Sequence, residues 1–187
     1  MNLRILAPIS LALLACTATT SALAQQKVDP ARSEISFVSK QMGVPVEGRF
    51  RKFDAQIAFD PKKPEAGKVA FTIDLGSTTL GNPETDAELP KAAWFNVPKF
   101  PQASFQSTSI KGLGSGRFEV AGKLSIKGRT KDVVLPFSFK PEGKGGVFEG
   151  SLAIRRSDFA VGEGAWADYG TVANEIQINF HLVATGK

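Results

Sequence analysis

His181 and Cys16 supply all the imidazole and thiol chemistry in this chain. A zinc-type centre takes three or four histidine, cysteine or carboxylate ligands. One histidine and one cysteine cannot build it, and a carboxylate-only site would suit only harder ions. A serine-histidine-acid triad would have to run through His181, and no G-x-S-x-G turn presents a serine nucleophile. Gly112-Leu113-Gly114-Ser115-Gly116 is rich in glycine, but no helical pattern follows it, so it reads as a hairpin turn and not as a phosphate cradle. No dinucleotide fingerprint is present. These residues assign no catalytic group and no metal, and the chain reads as a non-enzyme. Two other clusters stand out. Arg155-Arg156 with Asp158 fits either a polar clamp on a ligand's head group, centred on Arg156, or an ion pair that orders an irregular segment. Trp94 and Trp166 fit either a gate or a cap over the core.

The elements that would position these groups show in the hydrophobic pattern. Phe71, Ile73 and Leu75 alternate with polar neighbours, as do Phe118, Val120, Leu124 and Ile126. Val133, Leu135, Phe137 and Phe139 do the same, and so do Ile176, Ile178, Phe180 and Leu182. A period of two means strands with one apolar and one wet face. The chain has 14 Phe and one Tyr, and Phe suits a surface that meets only hydrocarbon. Strands are expected over 33–42, 44–50, 53–59, 68–75, 102–111, 117–127, 130–140, 147–155 and 175–185. The inward parity switches between 44–50 and 53–59, which predicts a β-bulge near Arg51-Lys52. Residues 76–101 lose the period and carry Gly76, Gly81, Pro83, Pro90, Pro98 and Pro101. Pro83 can open a short helix whose early turns hold Glu84, Asp86 and Glu88. The fold expected is all-β, an eight-stranded antiparallel β-barrel with a helical or loop cap around 76–101. Closure removes the exposed edges that an open sheet of this size would leave.

A barrel of eight strands is just wide enough to be filled by its own side chains or to hold one small ligand. Small residues at inner positions, namely Gly48, Ala55, Ala103, Gly122 and Ala153, are read as leaving room. The walls of such a hollow would be Phe37 and Phe50 from the first strands, then Phe71 and Ile73. Leu89, Trp94 and Phe95 would come from the cap, and Phe105, Val120, Leu124, Leu135 and Phe137 from the middle strands. Leu152, Ile176 and Ile178 would complete them. A dry apolar hollow prefers a hydrocarbon guest. A chain of about 15 carbons offers about 12 kcal/mol gross, before association and ordering costs. The competing outcome is a collapsed barrel with no guest.

The first residues read as a targeting segment. Arg4 precedes an apolar run from Ile5 to Ala15, and Ala22-Leu23-Ala24 is a small-x-small cleavage site. That is a secretory signal peptide over 1–24, followed by one domain over 25–187 and a periplasmic destination. Leu13-Leu14-Ala15-Cys16 offers a second reading, a lipoprotein anchored at Cys16. The formal net charge is +5, without a basic cluster interleaved with stacking aromatics, so nucleic acid is not an expected partner.

The stretch LPKAAWFNVPKFPQASFQSTSI, from Leu89 to Ile110, resembles the Phe-rich segment of the YceI-like family of exported bacterial proteins. The correspondence falls on Trp94-Phe95, Pro101, Phe105 and Ser107. The family's next strand-turn-strand is matched by Gly122, Leu124, Ile126, Gly128, Thr130, Lys131, Val133 and Leu135. Val46-Glu47-Gly48-Arg49-Phe50 with Phe53 matches its upstream arm, and Arg156-Ser157-Asp158-Phe159 through Gly162 its downstream element. The resemblance covers essentially the whole chain after residue 24. It implies a lipocalin-like barrel that holds a long amphiphile, such as a polyisoprenoid, an isoprenoid quinone or a fatty acyl derivative, with no other cofactor. It also admits a homodimer, and an alternative role as an interaction module for a membrane b-type cytochrome. The chain departs from the family at Glu84-Thr85-Asp86-Ala87-Glu88-Leu89, where many members carry a basic run. A phosphate-binding role does not carry over to that segment, and a neutral head such as a quinone or amide fits it better.

Overall fold

Alternating apolar and polar residues form strands along almost the whole chain. The computed structural model describes residues 25–186, and the readings that concern the signal peptide and Cys16 lie outside the described residues. The strands are β1 (Gln26–Val28), β2 (Glu34–Gln41), β3 (Val44–Phe50), β4 (Phe53–Ala58), β5 (Lys68–Asp74) and β6 (Thr78–Thr79). After one helix, α1 (Pro83–Glu88), come β7 (Gln102–Gly114), β8 (Arg117–Ile126), β9 (Arg129–Glu142), β10 (Gly145–Arg155) and β11 (Glu175–Thr185).

All pairings are antiparallel, and they close a ring. β3 and β4 act as one kinked strand. β6 pairs with the upper part of it and β5 with the lower part. Counting each such pair as one position gives the expected barrel of eight, lipocalin-like in its up-and-down order. β11 returns to β2, with Ile178 opposite Phe37. β1 fills the remaining gap, since Lys27 faces both Thr185 and Gln56. The parity switch at Arg51-Lys52 is a two-residue break and not a bulge in a ladder. There the Arg51 and Lys52 amides donate to the backbone oxygen and Oγ of Ser77.

Three hairpins turn on two residues, both with positive φ: Met42-Gly43, Ser115-Gly116 and Lys127-Gly128. Such turns match the twist of the flanking strands. The glycine-rich run at 112–116 is thus mostly strand, and only its last two residues turn.

Phenylalanine fills one end of the barrel. The Phe59 ring meets Phe118, Phe137, Phe139 and Phe148 edge-on, with centroids 5.0 to 5.7 Å apart. Each such pair adds about 0.5–1.5 kcal/mol beyond area burial. The glycines expected to leave room do not. A Cβ on Gly48 would stand 2.2 Å from Phe37 Cζ, and one on Gly122 would stand 2.5 Å from Phe105 Cζ. Each glycine is a seat for a ring on the neighbouring strand. Ala153 lies exposed on the outer face, and Ala103 is buried in the core.

The cap forms as its sequence predicts at the start. Asn82 Oδ1 accepts from the amides of Glu84 and Thr85, and Pro83 occupies the first turn of α1. The Asp86 carboxylate accepts from Thr79 Oγ1 and from the Leu80 amide at 2.6 Å, which ties α1 to β6. Those two hydrogen bonds, with Arg51 nearby, hold its pKa below the ordinary carboxylate value. Beyond α1 the chain winds in successive turns, with the Phe95 amide bonded to Leu89 O and the Val97 amide to Pro90 O.

Candidate ligand-binding site

The end of the barrel away from the phenylalanine cluster is hollow. A mostly apolar cavity of about 480 Å³ opens there beneath the cap. Phe37 and Phe50 contribute from β2 and β3, Ile154 from β10, and Ile176 and Ile178 from β11. Leu89, Trp94 and Phe95 close it from the cap. A cavity of about 150 Å³ takes one benzene, so this one has room for roughly 18 carbons.

Of the residues expected to line a hollow, Phe37, Phe50, Leu89, Trp94, Phe95, Ile176 and Ile178 share this wall, together with Arg156. Phe71, Ile73, Phe105, Val120, Leu124, Leu135, Phe137 and Leu152 do not line it. Phe105, Val120, Leu124 and Phe137 are buried in the packed core, and Phe71, Ile73, Leu135 and Leu152 rest half-buried against it. Alternation identifies the inner face of a strand but not the depth along the barrel at which packing ends. Val46, Leu80, Ile126, Phe159, Val161, Trp166 and Val172 also line the cavity, as do Ser39, Gln41, Glu84, Thr85 and Glu88. Val46 and Ile126 stand at inner positions that the period already marked. Phe159 to Val172 come from an irregular segment with no period to read.

Arg156 is 3% exposed, and among the described residues no carboxylate pairs with it. The expected ion pair with Asp158 does not form. The guanidinium instead spends all five of its N–H groups on backbone carbonyls. Nε donates to Ala173 O at 3.1 Å, and Nη1 to Val161 O at 3.0 Å and Gly162 O at 2.7 Å. Nη2 donates to Trp166 O at 2.7 Å and Val172 O at 2.8 Å. The geometry suits a rigid planar fork of five donors. Gly162, at φ +75°, makes the space, for a Cβ there would meet Nη1 at 2.2 Å. Burial pushes the Arg156 pKa below its ordinary value, against the pull of Tyr169 and Asp168. The Tyr169 ring lies 5.2 Å from the guanidinium carbon. Arg156 thus orders 156–174, as the second sequence reading holds, but through carbonyls.

A second buried cation holds the same segment. Lys127, 8% exposed at the β8–β9 turn, donates from Nζ to Ala160 O and to Glu163 Oε2 at 2.9 Å. The Trp94 and Trp166 rings stand 5.4 Å apart on the cavity wall. Two buried polar atoms of the wall residues, Ser39 Oγ and Trp94 Nε1, have no hydrogen-bond partner among the described residues. His181 lies exposed on the outer face of β11, with Nδ1 2.8 Å from Glu149 Oε1.

Known proteins share this architecture and sequence. A protein of Yersinia pestis (strain Pestoides F), described as a UPF0312 protein, is 34% identical over 179 residues, 91% of each chain. The crystal structure of Burkholderia cenocepacia BcnA superposes with a TM-score of 0.83 at 45% identity, covering 85% of this chain and 100% of that one. A structure from Saccharophagus degradans, described as a polyisoprenoid binding domain implicated in plant cell wall breakdown, has a TM-score of 0.72 at 16% identity. It covers 88% of this chain and 99% of its own, a likeness of fold. The model of the YceI-like domain matches residues 26–184. With that match over almost the whole described chain, the chain belongs to the YceI-like family.

Proposed function

We propose that this protein binds a long-chain amphiphilic lipid without transforming it, as a carrier, store or scavenger in the periplasm. The apolar cavity of about 480 Å³ at one end of an otherwise packed barrel carries the reading. Its volume matches a tail of roughly 18 carbons. The rest of a longer isoprenoid would stay outside the mouth. Burial of the enclosed part supplies the affinity, at roughly 0.8 kcal/mol per methylene before ordering costs. Support also comes from the shared fold, since one protein of this fold is described as a polyisoprenoid binding domain. The periplasmic placement follows from the secretory reading of residues 1–24.

Purification from cell envelope under non-denaturing conditions, followed by native mass spectrometry, tests the proposal. A lipid of defined mass, released by solvent extraction, is the expected result. Protein that emerges empty and takes up no prenyl, quinone or fatty acyl ligand would sink it.

A further inference from the structure

The apolar lining of the hollow does not stop at the rim of the barrel. Alternation along β3 turns Phe50, Gly48, Val46 and Val44 to one face. Phe50 and Val46 line the cavity, and Val44, one step further out, is 64% exposed. Val44 pairs across the β2–β3 hairpin with Gln41, another lining residue. Met42 stands at the tip of that hairpin, 80% exposed. Its amide donates to Thr171 O at 2.9 Å, which sets the tip beside the loop that carries the half-exposed Tyr169. Met42 and Val44 therefore form an apolar lip at the mouth, continuous with the wall inside.

The turn is built against its own preference. Both its residues have positive φ, Met42 at 47° and Gly43 at 82°. That geometry favours asparagine, aspartate or glycine at the first position. The other two hairpins of this kind place Ser115 and Lys127 there. Single exposed apolar residues are ordinary, and Leu113 and Val134 are such cases on β7 and β9. An apolar pair that prolongs the wall of a cavity is different, and patches of that sort mark contacts with a protein or a membrane.

Two arguments select the membrane. A tail held in the cavity comes from a lipid phase and returns to one, and each methylene that meets water on the way raises the barrier. A lip seated in the lipid surface removes that crossing. The charges around the mouth, meanwhile, form no patch of one sign for a charged partner. Lys40 points outward beside Pro45, and Glu84 and Glu88 stand on α1 with Glu88 bonded to Lys91. We infer that Met42 and Val44 dip into the surface of a lipid bilayer and dock the mouth of the cavity against it. The contact is apolar, so it needs no anionic lipid. The handover of a tail through this lip rests on the lipid-binding proposal above.

Trp94 and Trp166 are the only two tryptophans of the chain and both line the cavity, so intrinsic fluorescence reports its occupancy. The test uses vesicles of phosphatidylcholine and phosphatidylethanolamine, with and without phosphatidylglycerol, that carry 16-bromohexadecan-1-ol. Flotation reads docking. Quenching of tryptophan by bromine reads loading, and quenching that survives removal of the vesicles marks an occupied cavity. The key variant is Met42→Asn with Val44→Thr. Asparagine suits the turn and threonine keeps the branched β-carbon, so the hairpin holds its fold while the lip turns polar. This double variant is expected to bind vesicles about tenfold more weakly and to load about tenfold more slowly, with the same final quenching. Leu113→Ser, at the packed end, should match the parent in both. Flotation that is absent, that is equal in the double variant, or that requires phosphatidylglycerol overturns the docking. So does a parent dimer in analytical ultracentrifugation that the double variant breaks, since a second copy would then cover the lip. In each of these cases surviving quenching leaves the lipid proposal standing. If no protein keeps any quenching, the lipid proposal falls, while flotation still decides the docking.

Discussion

Arg156 shows how far residue types carry a sequence reading. Its run, Arg156-Ser157-Asp158, suggests an ion pair, because acid and base sit side by side. The actual partners are five carbonyl oxygens spread from Val161 to Ala173. Backbone oxygens have no letter of their own, so nothing in the sequence names them. Gly162 is the one legible trace, since it alone clears space for the fork. Arg156→Gln should lower unfolding free energy by about 3 kcal/mol or more in urea titrations, because several buried carbonyls lose their donors together. Arg156→Lys should fail to restore it, since a point charge with three donors cannot span the five. A residue acting only on a ligand would leave stability near the parent value in both variants.

The strands were legible because burial on one face leaves a mark at every second residue. β8 shows that mark from end to end, and β9 shows it from Val133 to Phe139. β1 and β6, of three and two residues, are too short to show a period, and only the folded chain reveals them. The start of α1 was legible in Asn82-Pro83, whereas its tether to β6 through Asp86 was not. That tether depends on pH. The folded carboxyl of Asp86 titrates below its ordinary value, so its stabilising contribution is full above the unfolded value of about 3.9 and is lost as pH falls through the lower folded one. Asp86→Ala should cost about 1 kcal/mol at neutral pH, a half-buried site being partly screened by solvent. The gap from the parent should close in strongly acid solution. Hydrogen exchange of residues 83–97 across pH checks both statements, and a gap that persists in acid would refute the assignment to this carboxylate.

The whole barrel divides its labour between its two ends. Five phenylalanines close one end, and the other stays hollow under the cap. Sequence alternation placed residues from both ends on one inner surface, because it measures facing and not depth. Stability and binding should therefore separate on mutation. Phe148→Ala, at the packed end, should destabilise by about 3–5 kcal/mol. Its affinity for a dodecyl probe should stay within about twofold of the parent, as measured by tryptophan fluorescence on the folded fraction. A large loss of affinity in that variant would show that the ends are coupled.

The seam where the ring shuts sets the order of assembly. Lys27 meets Thr185 across almost the full described chain. A polypeptide emerging amino end first can pair its leading strand with β4, but the other edge of that strand stays open until β11 appears. Shortening the carboxyl end by a few residues would then leave two raw edges facing solvent, and the protein should turn fibre-forming or aggregating.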